Sequence, residues 1–186
     1  MDQKILFMME VLGVAIADYS LQLRQPKAII FYGDTAENGK SQMLDMIAGL
    51  FSPDDICSID PEYFGDEKRR LTLKNKKLNL VYELSGNAIQ SNHAKQIITG
   101  DVIDARELYK MPVNFRCVAS HIWATNKLPS FFGGMDRGVQ RRSGVLSFNR
   151  VIPKKEKIVD IGKKIAEKEG ELLLAFAVSG AISVII

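Results

Sequence analysis

Four short runs of apolar, β-prone residues divide this chain, and each stops at a polar or glycine residue. They are Ala28-Ile29-Ile30-Phe31-Tyr32, Leu78-Asn79-Leu80-Val81-Tyr82, the core of "VASHIWATN" and the core of "SGVLSF". Unbroken runs of this kind suit strands covered on both faces rather than the alternating pattern of a half-exposed strand. Helix-forming stretches lie between them: "KSQMLDMIAGLF", "DEKRRLTLKNKK", and "QSNHAKQIITGD", which Gly100 closes. The long "KEKIVDIGKKIAEKEGELLLAFAVSGAISVII" reads as one or two helices. Strands alternating with helices predict an α/β fold with a mostly parallel central sheet flanked by helices. At 186 residues, 46% of them hydrophobic, the chain can fill one core, which excludes disordered and fibrous classes.

Three segments follow from the pattern: a helical lead-in over 1–26, an α/β core over 27–150 and a C-terminal helical segment over 151–186. In the lead-in, Ile5, Met9, Leu12 and Ile16 form a helical stripe within a largely apolar segment, which predicts a helix buried on more than one side. A short strand is expected at Ile56 to Ile59, and two extended arms around Lys110-Met111-Pro112 predict a hairpin. The apolar tail from Leu172 to Ile186 is shorter than the roughly 20 residues a spanning helix needs, so it reads as a buried helix and predicts no membrane association. Its apolar close, "SGAISVII", predicts that the chain is a piece of something longer, cut before a further domain. Acids at Asp2 and Glu10, with no basic start, argue against a secretory signal. Cys57 and Cys117 are far apart in sequence and read as reduced, buried thiols. The formal charge of +3 is too mild to mark a nucleic-acid binder by itself.

Ligands in open α/β sheets bind beyond the carboxyl ends of the strands, so the polar residues there carry the chemistry. After the first run comes "GDTAENGKSQ", close to the pattern G-x-x-x-x-G-K-[ST] but one residue longer from Gly33, with Asp34 where the first glycine would stand. Gly33, Asn38, Gly39, Lys40, Ser41 and Gln42 form the expected phosphate cradle. Glycine lets the backbone approach a phosphate, Lys40 offsets phosphate charge, Ser41 offers an oxygen to Mg2+, and a helix start faces the anion. The extra residue reads as a bulge over Asp34 to Glu37. Glu83 ends the second run and suits a group that polarises an attacking water; such an acid also serves as a solvated rim residue or cap. Asn126 ends the third and can hold a γ-phosphate, or simply start the turn of Asn-Lys-Leu-Pro. Arg141 and Arg142 precede the fourth run, where one guanidinium on a transferring phosphoryl group accelerates hydrolysis by roughly 10³ to 10⁵ and a second is surface decoration.

Taken together, these pieces resemble the ATPase domain of superfamily III helicases, in the phage and plasmid primase-helicase branch that includes the poxvirus primase-helicase. "FYGDTAENGKSQ" is similar to the A motif, "LNLVYELS" to the B motif, "HIWATNKLP" to motif C and "DRGVQRRSGVLSF" to the arginine segment. "KQIITGDVIDARELYKMPVNF" is similar to the segment between B and C. The resemblance implies an AAA+-like P-loop ATPase core that hydrolyses ATP with Mg2+ at the subunit interfaces of a ring, commonly a homo-hexamer. It implies a DNA helicase or translocase in replication, with DNA, expected to be single-stranded, in the channel. It places the protein in the host cytoplasm, with any primase domain elsewhere in the full-length chain. By the same resemblance Lys40 and Ser41 hold phosphate and metal, Glu83 activates water and supports Mg2+ partly through water, and Asn126 senses the γ-phosphate. Arg142 would be the finger that enters the neighbouring site, with Arg141 as its substitute, and Arg106 and Lys110 would touch DNA phosphate. Position 82, where many relatives carry an acid that supports the metal, is Tyr82, and "TGD" has one glycine where relatives often have two. Two other readings stay open: a nucleotide-binding ring fragment without turnover, and a small P-loop phosphotransferase.

Overall fold

The computed structural model describes residues 3–185. Met1, Asp2 and Ile186, the extreme ends of the expected lead-in and tail, lie outside the described residues. Five parallel strands form the central sheet: β1 (Ala28–Tyr32), β2 (Ile56–Cys57), β3 (Leu78–Val81), β7 (Ser120–Thr125) and β9 (Ser143–Ser147). Their order across the sheet is β2-β3-β7-β1-β9. β1 therefore sits between two strands that come much later in the chain, with Ile29 opposite Ile122 on one side and Gly144 on the other. All four expected strands are present and the sheet is flanked by helices as the alternation predicted, but the fourth is not covered on both faces: β9 is the edge strand, with Val145 exposed and only Leu146 buried.

Alternation along the strands sends side chains to two cores. Phe31, Leu80, Ile122 and Leu146 face α1 (Gln3–Ile16) and α2 (Lys40–Ala48), packing with Leu12, Leu44 and Ile47. Ile30, Val81 and Trp123 face the other side, with Phe64, Leu73 and Ile97 of α4 (Ser91–Thr99). Each such fully buried side chain is worth about 1.5–3 kcal/mol.

Smaller elements cluster on the second side. The expected helix before β3 is only α3 (Glu67–Arg70), capped by the Asp66 carboxylate and followed by a tight 3-10 turn, Leu71–Leu73. The strand expected to reach Ile59 stops at Cys57, because the buried Asn79 side chain takes over the ladder. Its Oδ1 accepts from the Ile59 amide at 2.8 Å and its Nδ2 donates to the Ile59 carbonyl at 3.0 Å. A parallel pair, β4 (Ile89–Gln90) with β8 (Phe131–Phe132), and the short α5 (Arg137–Gln140) have no counterpart in the sequence reading. The expected hairpin is present as β5 (Val102–Ala105) and β6 (Val113–Arg116), antiparallel. Cys57 and Cys117 are free, and burial pushes their thiols up to about 12 and about 11, so both are inert at neutral pH.

The apolar tail is not the buried helix its composition predicted. It belongs to α6 (Ile161–Ile185), which bends at Glu169, and Leu172, Leu174, Phe176, Val178 and Ile182 are all exposed. The buried stripe consists of small residues instead, Ala177 and Gly180. There α6 crosses α1 backbone to backbone: a methyl group on Gly13 would meet the Ala177 carbonyl oxygen at 2.3 Å, and one on Gly180 the Met9 carbonyl oxygen at 2.0 Å. Close approach, not bulk, defines this contact, so the large side chains turn outward. The first turn of α1 departs in the same way, with Ile5 and Leu6 exposed although Met9, Leu12 and Ala15 are buried. Among the described residues no helix is long and apolar enough to cross a membrane.

Two outcomes are expected. Gly180→Val forces the crossing apart, and overpacking of about 1–3 kcal/mol lowers Tm by roughly 3–10 °C in a thermal melt. His121, buried on β7 between Phe64 and Trp123, has its pKa pushed down to about 4 by burial. The folded value lies below the unfolded one near 6.5, so its stabilisation is complete above pH 6.5 and is lost as pH falls from there toward 4. In urea titrations between pH 7 and pH 5, the protein should lose about 2 kcal/mol more than His121→Phe does.

Candidate nucleotide-binding site

The carboxyl ends of β1, β3 and β7 open on one cleft of about 260 Å³, lined by Asn38, Gly39, Lys40, Ser41, Glu83 and Asn126 together with Gln42, Tyr82 and Thr125. The loop after β1 therefore meets the acid after β3 and the asparagine after β7, residues 43 positions or more from one another in the chain. β7 lies between β1 and β3, which sets Asn126 between the loop and Glu83. The Gly33 amide donates to the Thr125 carbonyl at 3.2 Å and extends the β1–β7 pairing into the loop.

Lys40 organises the loop. Its ammonium donates to the Gly33 carbonyl at 3.0 Å, the Thr35 carbonyl at 3.3 Å, Asn38 Oδ1 at 3.1 Å and Asn126 Oδ1 at 2.8 Å. Burial lowers its pKa, opposed by the charges of Glu83 and Asp34. Asn38, itself buried, donates to the Thr35 carbonyl at 2.7 Å and the Phe148 carbonyl at 3.2 Å, tying the loop to the exit of β9. Gly39 begins α2 at φ 90, a left-handed conformation that a side chain would strain, and no side chain caps the helix. The amides of the first turn are left facing the cleft, the arrangement that binds an anion.

The extra residue forms a bulge whose end, Ala36 and Glu37, lines the rim of the cleft and is anchored to the segment after β9. Glu37 adopts φ 62, its carbonyl accepts from the Ile152 amide at 2.9 Å, and its carboxylate pairs with Lys157 at 2.5 Å. A second cavity of about 550 Å³ opens beside the loop, between Gly39 and Gln42 on one side and Ile152, Ile158 and Val159 on the other. This apolar wall was not picked out in the sequence; its residues lie in an irregular stretch after β9 and carry no motif.

Tyr82 follows β3 and turns back toward α2, where its hydroxyl donates to Asp45 Oδ1 at 2.9 Å. Burial, the bond to Asp45 and the charge of Asp45 push its pKa up to about 12, so it stays a neutral donor. Ser41 and Glu83 are both exposed in the cleft, and their oxygens suit Mg2+. Among the described residues no group of three or more His, Cys, Asp or Glu side chains gathers to hold a metal, so an ion here would take further ligands from phosphate and water.

The remaining expected residues lie outside the cleft. Arg142 is half-buried and donates from Nη1 to the Gly138 carbonyl at 3.0 Å, with its Nε buried and unpaired, whereas Arg141 is exposed. Arg106 begins the loop that joins β5 to β6 and pairs with Glu67 at 3.0 Å; Lys110, further along the loop, pairs with Glu107. The Asp104 carboxylate pairs with Arg70 at 2.7 Å and fastens the hairpin to α3. The sequence reading passed over the apolar part of the tip, where Tyr109 is 98% and Met111 84% exposed.

Sheet order and flanking helices define the class as an α/β protein built on a central five-stranded parallel sheet, with the cleft at the carboxyl ends of its strands. Residues 31–142 match the model of a family of unknown function, DUF5906, and the chain belongs to that family. No curated protein matches it. Among solved structures, the apo A form of the NrS-1 C-terminal region has TM-score 0.64 and 20% identity over 94% of this chain and 40% of its own. A second structure of that region, spanning residues 305–718 in its own numbering, gives 0.63 and 19% over 94% and 42%. The chain thus spans less than half of either. JCV helicase with a bound small molecule is more distant, at TM-score 0.46 and 10% identity over 97% of this chain and 53% of its own.

Removing the Asn38 side chain should loosen the loop even without ligand. Asn38→Ala removes the donor that reaches the Phe148 carbonyl and one of the four acceptors around the Lys40 ammonium, and urea unfolding should show a loss of about 1–3 kcal/mol.

Proposed function

We propose that this domain is the ATP-driven motor of a DNA helicase or translocase of superfamily III type, from a phage, prophage or plasmid replication protein. The observation that carries this reading is the convergence of Lys40, Ser41, Glu83 and Asn126 on one cleft at the mouth of a glycine-started helix. Triphosphate oxygens would take the place of the backbone and amide oxygens that Lys40 now holds. Ser41 and Glu83 would hold Mg2+, Glu83 partly through water; when bound, the ion neutralises charge on the β- and γ-phosphates. Glu83 would orient the attacking water, with Asn126 at the γ-phosphate. The cavity against Ile152 and Ile158 offers an apolar wall for the base and favours a nucleotide over a lone phosphate.

A homo-oligomeric ring, hexameric by analogy, would bring an arginine from the neighbour to this site. We assign that role to Arg141, since Arg142 is engaged with Gly138 of its own chain. The hairpin would face single-stranded DNA, with Arg106 and Lys110 exchanging their surface carboxylates for phosphate at little cost. The exposed Tyr109 ring beside them gives a base a face to stack on. A second reading, nucleotide binding without turnover, draws support from Tyr82, which puts a phenol where an acid would aid the metal.

ATPase assays with and without single-stranded DNA, read beside solution mass, decide between them. The motor reading expects DNA-stimulated hydrolysis that Lys40→Ala abolishes, and that Glu83→Gln reduces at least 100-fold, about 2.7 kcal/mol in the barrier, while ATP still binds. Nucleotide binding without hydrolysis in the unaltered protein overturns it in favour of the second.

A further inference from the structure

Tyr82 is placed to do more than fill a gap. It follows β3 directly, lines the cleft with Ser41 and Glu83, and carries its hydroxyl across to Asp45 on α2. Asp45 stands four residues after Ser41, so the two lie on the same face of the helix, one turn of about 5.4 Å apart. A carboxylate that supports Mg2+ through a bound water stands about 4–5 Å from the ion, the sum of a 2.1 Å metal–oxygen bond and a 2.8 Å hydrogen bond. One helical turn from the Ser41 hydroxyl is therefore a workable place for such an acid.

The carboxylate is also oriented. Its Oδ1 accepts from Tyr82 at 2.9 Å, and its Oδ2 has only a long contact of 3.4 Å from Gln42 Nε2. Gln42 in turn is fixed by the Gly162 amide, which donates to its Oε1 at 3.1 Å. Oδ1 thus has a short donor and Oδ2 only the longer bond from Gln42, and a carboxylate oxygen with one such donor retains a lone pair to accept from a water. Resting on the nucleotide reading above, we infer that Asp45, held in place by the Tyr82 hydroxyl, is the carboxylate that positions the water shell of Mg2+ in this site. The acid has moved from the strand end to the helix, and the tyrosine is the strut that keeps it there.

The test measures the affinity of the whole chain for a fluorescent ATP analogue in Mg2+ and again in EDTA, and takes the ratio of the two. Asp45→Asn should shrink that ratio about tenfold and leave the EDTA value unchanged. Tyr82→Phe, which keeps ring and carboxylate but removes the bond between them, should shrink it less. Tyr82→Asp placed in the Asp45→Asn background should restore it, an outcome that a purely structural tyrosine–aspartate pair does not produce. Mn2+ binding in the presence of ADP, followed by electron paramagnetic resonance, should change in the same order. A wild-type ratio in Asp45→Asn, with the thermal melt intact, overturns the inference; if that variant does not fold, a wild-type ratio in Tyr82→Phe does so. Failure of the nucleotide reading looks different: the analogue then binds in neither condition, or binds Lys40→Ala as well as wild type, and the Asp45 assignment falls with it.

Discussion

A single buried ammonium holds the candidate site together. Lys40 lies at the first turn of α2 and reaches oxygens from the start of the loop, its middle, its end and the far side of the cleft on β7. Removing a cation from water is costly unless hydrogen bonds replace the lost hydration, and four acceptors provide that replacement. Because Asn126 is one of the four, the loop cannot take this shape unless β7 has paired with β1. The site is a consequence of the sheet order as much as of the motif.

Much of this arrangement was legible in the sequence, for a physical reason. Strands covered on both faces leave unbroken apolar runs; the polar residues that end two of them, Glu83 and Asn126, reach the cleft, and the loop and helix that follow the first bring Gly39 and Lys40 there, hence these elements were found. Contacts that depend on direction were not legible. The tail of α6 is as apolar as a core helix, but it packs through Ala177 and Gly180, and no hydropathy pattern distinguishes a buried glycine from an idle one. Arg141 and Arg142 are adjacent and chemically identical, and burial together with the bond to the Gly138 carbonyl tells them apart. Strands of two residues such as β4 and β8 are too short for any periodicity to register.

The irregular loop shows how a fold absorbs a departure from a motif. An added residue in a phosphate-binding loop would ordinarily disturb the amides that face the ligand. Here the surplus is taken up at Glu37, which lines the cleft but is tied to Ile152 and Lys157, while Gly39 and Lys40 keep the helix start intact. Tyr82 is a parallel case on the other wall of the cleft, where a larger side chain passes over the position of a smaller one and ends on Asp45.

The strand order has a consequence for how the molecule comes into being. β1 is the first of this sheet's strands in the chain, yet both of its neighbours, β7 and β9, are about ninety and more than a hundred residues downstream. Until most of the chain has left the ribosome, Ile29, Ile30 and Phe31 have no ladder to join and two apolar faces to hide. Long-range parallel pairing of this sort is slow to form and prone to aggregation while it waits. The strand that presents the loop is thus among the last parts of the sheet to be secured.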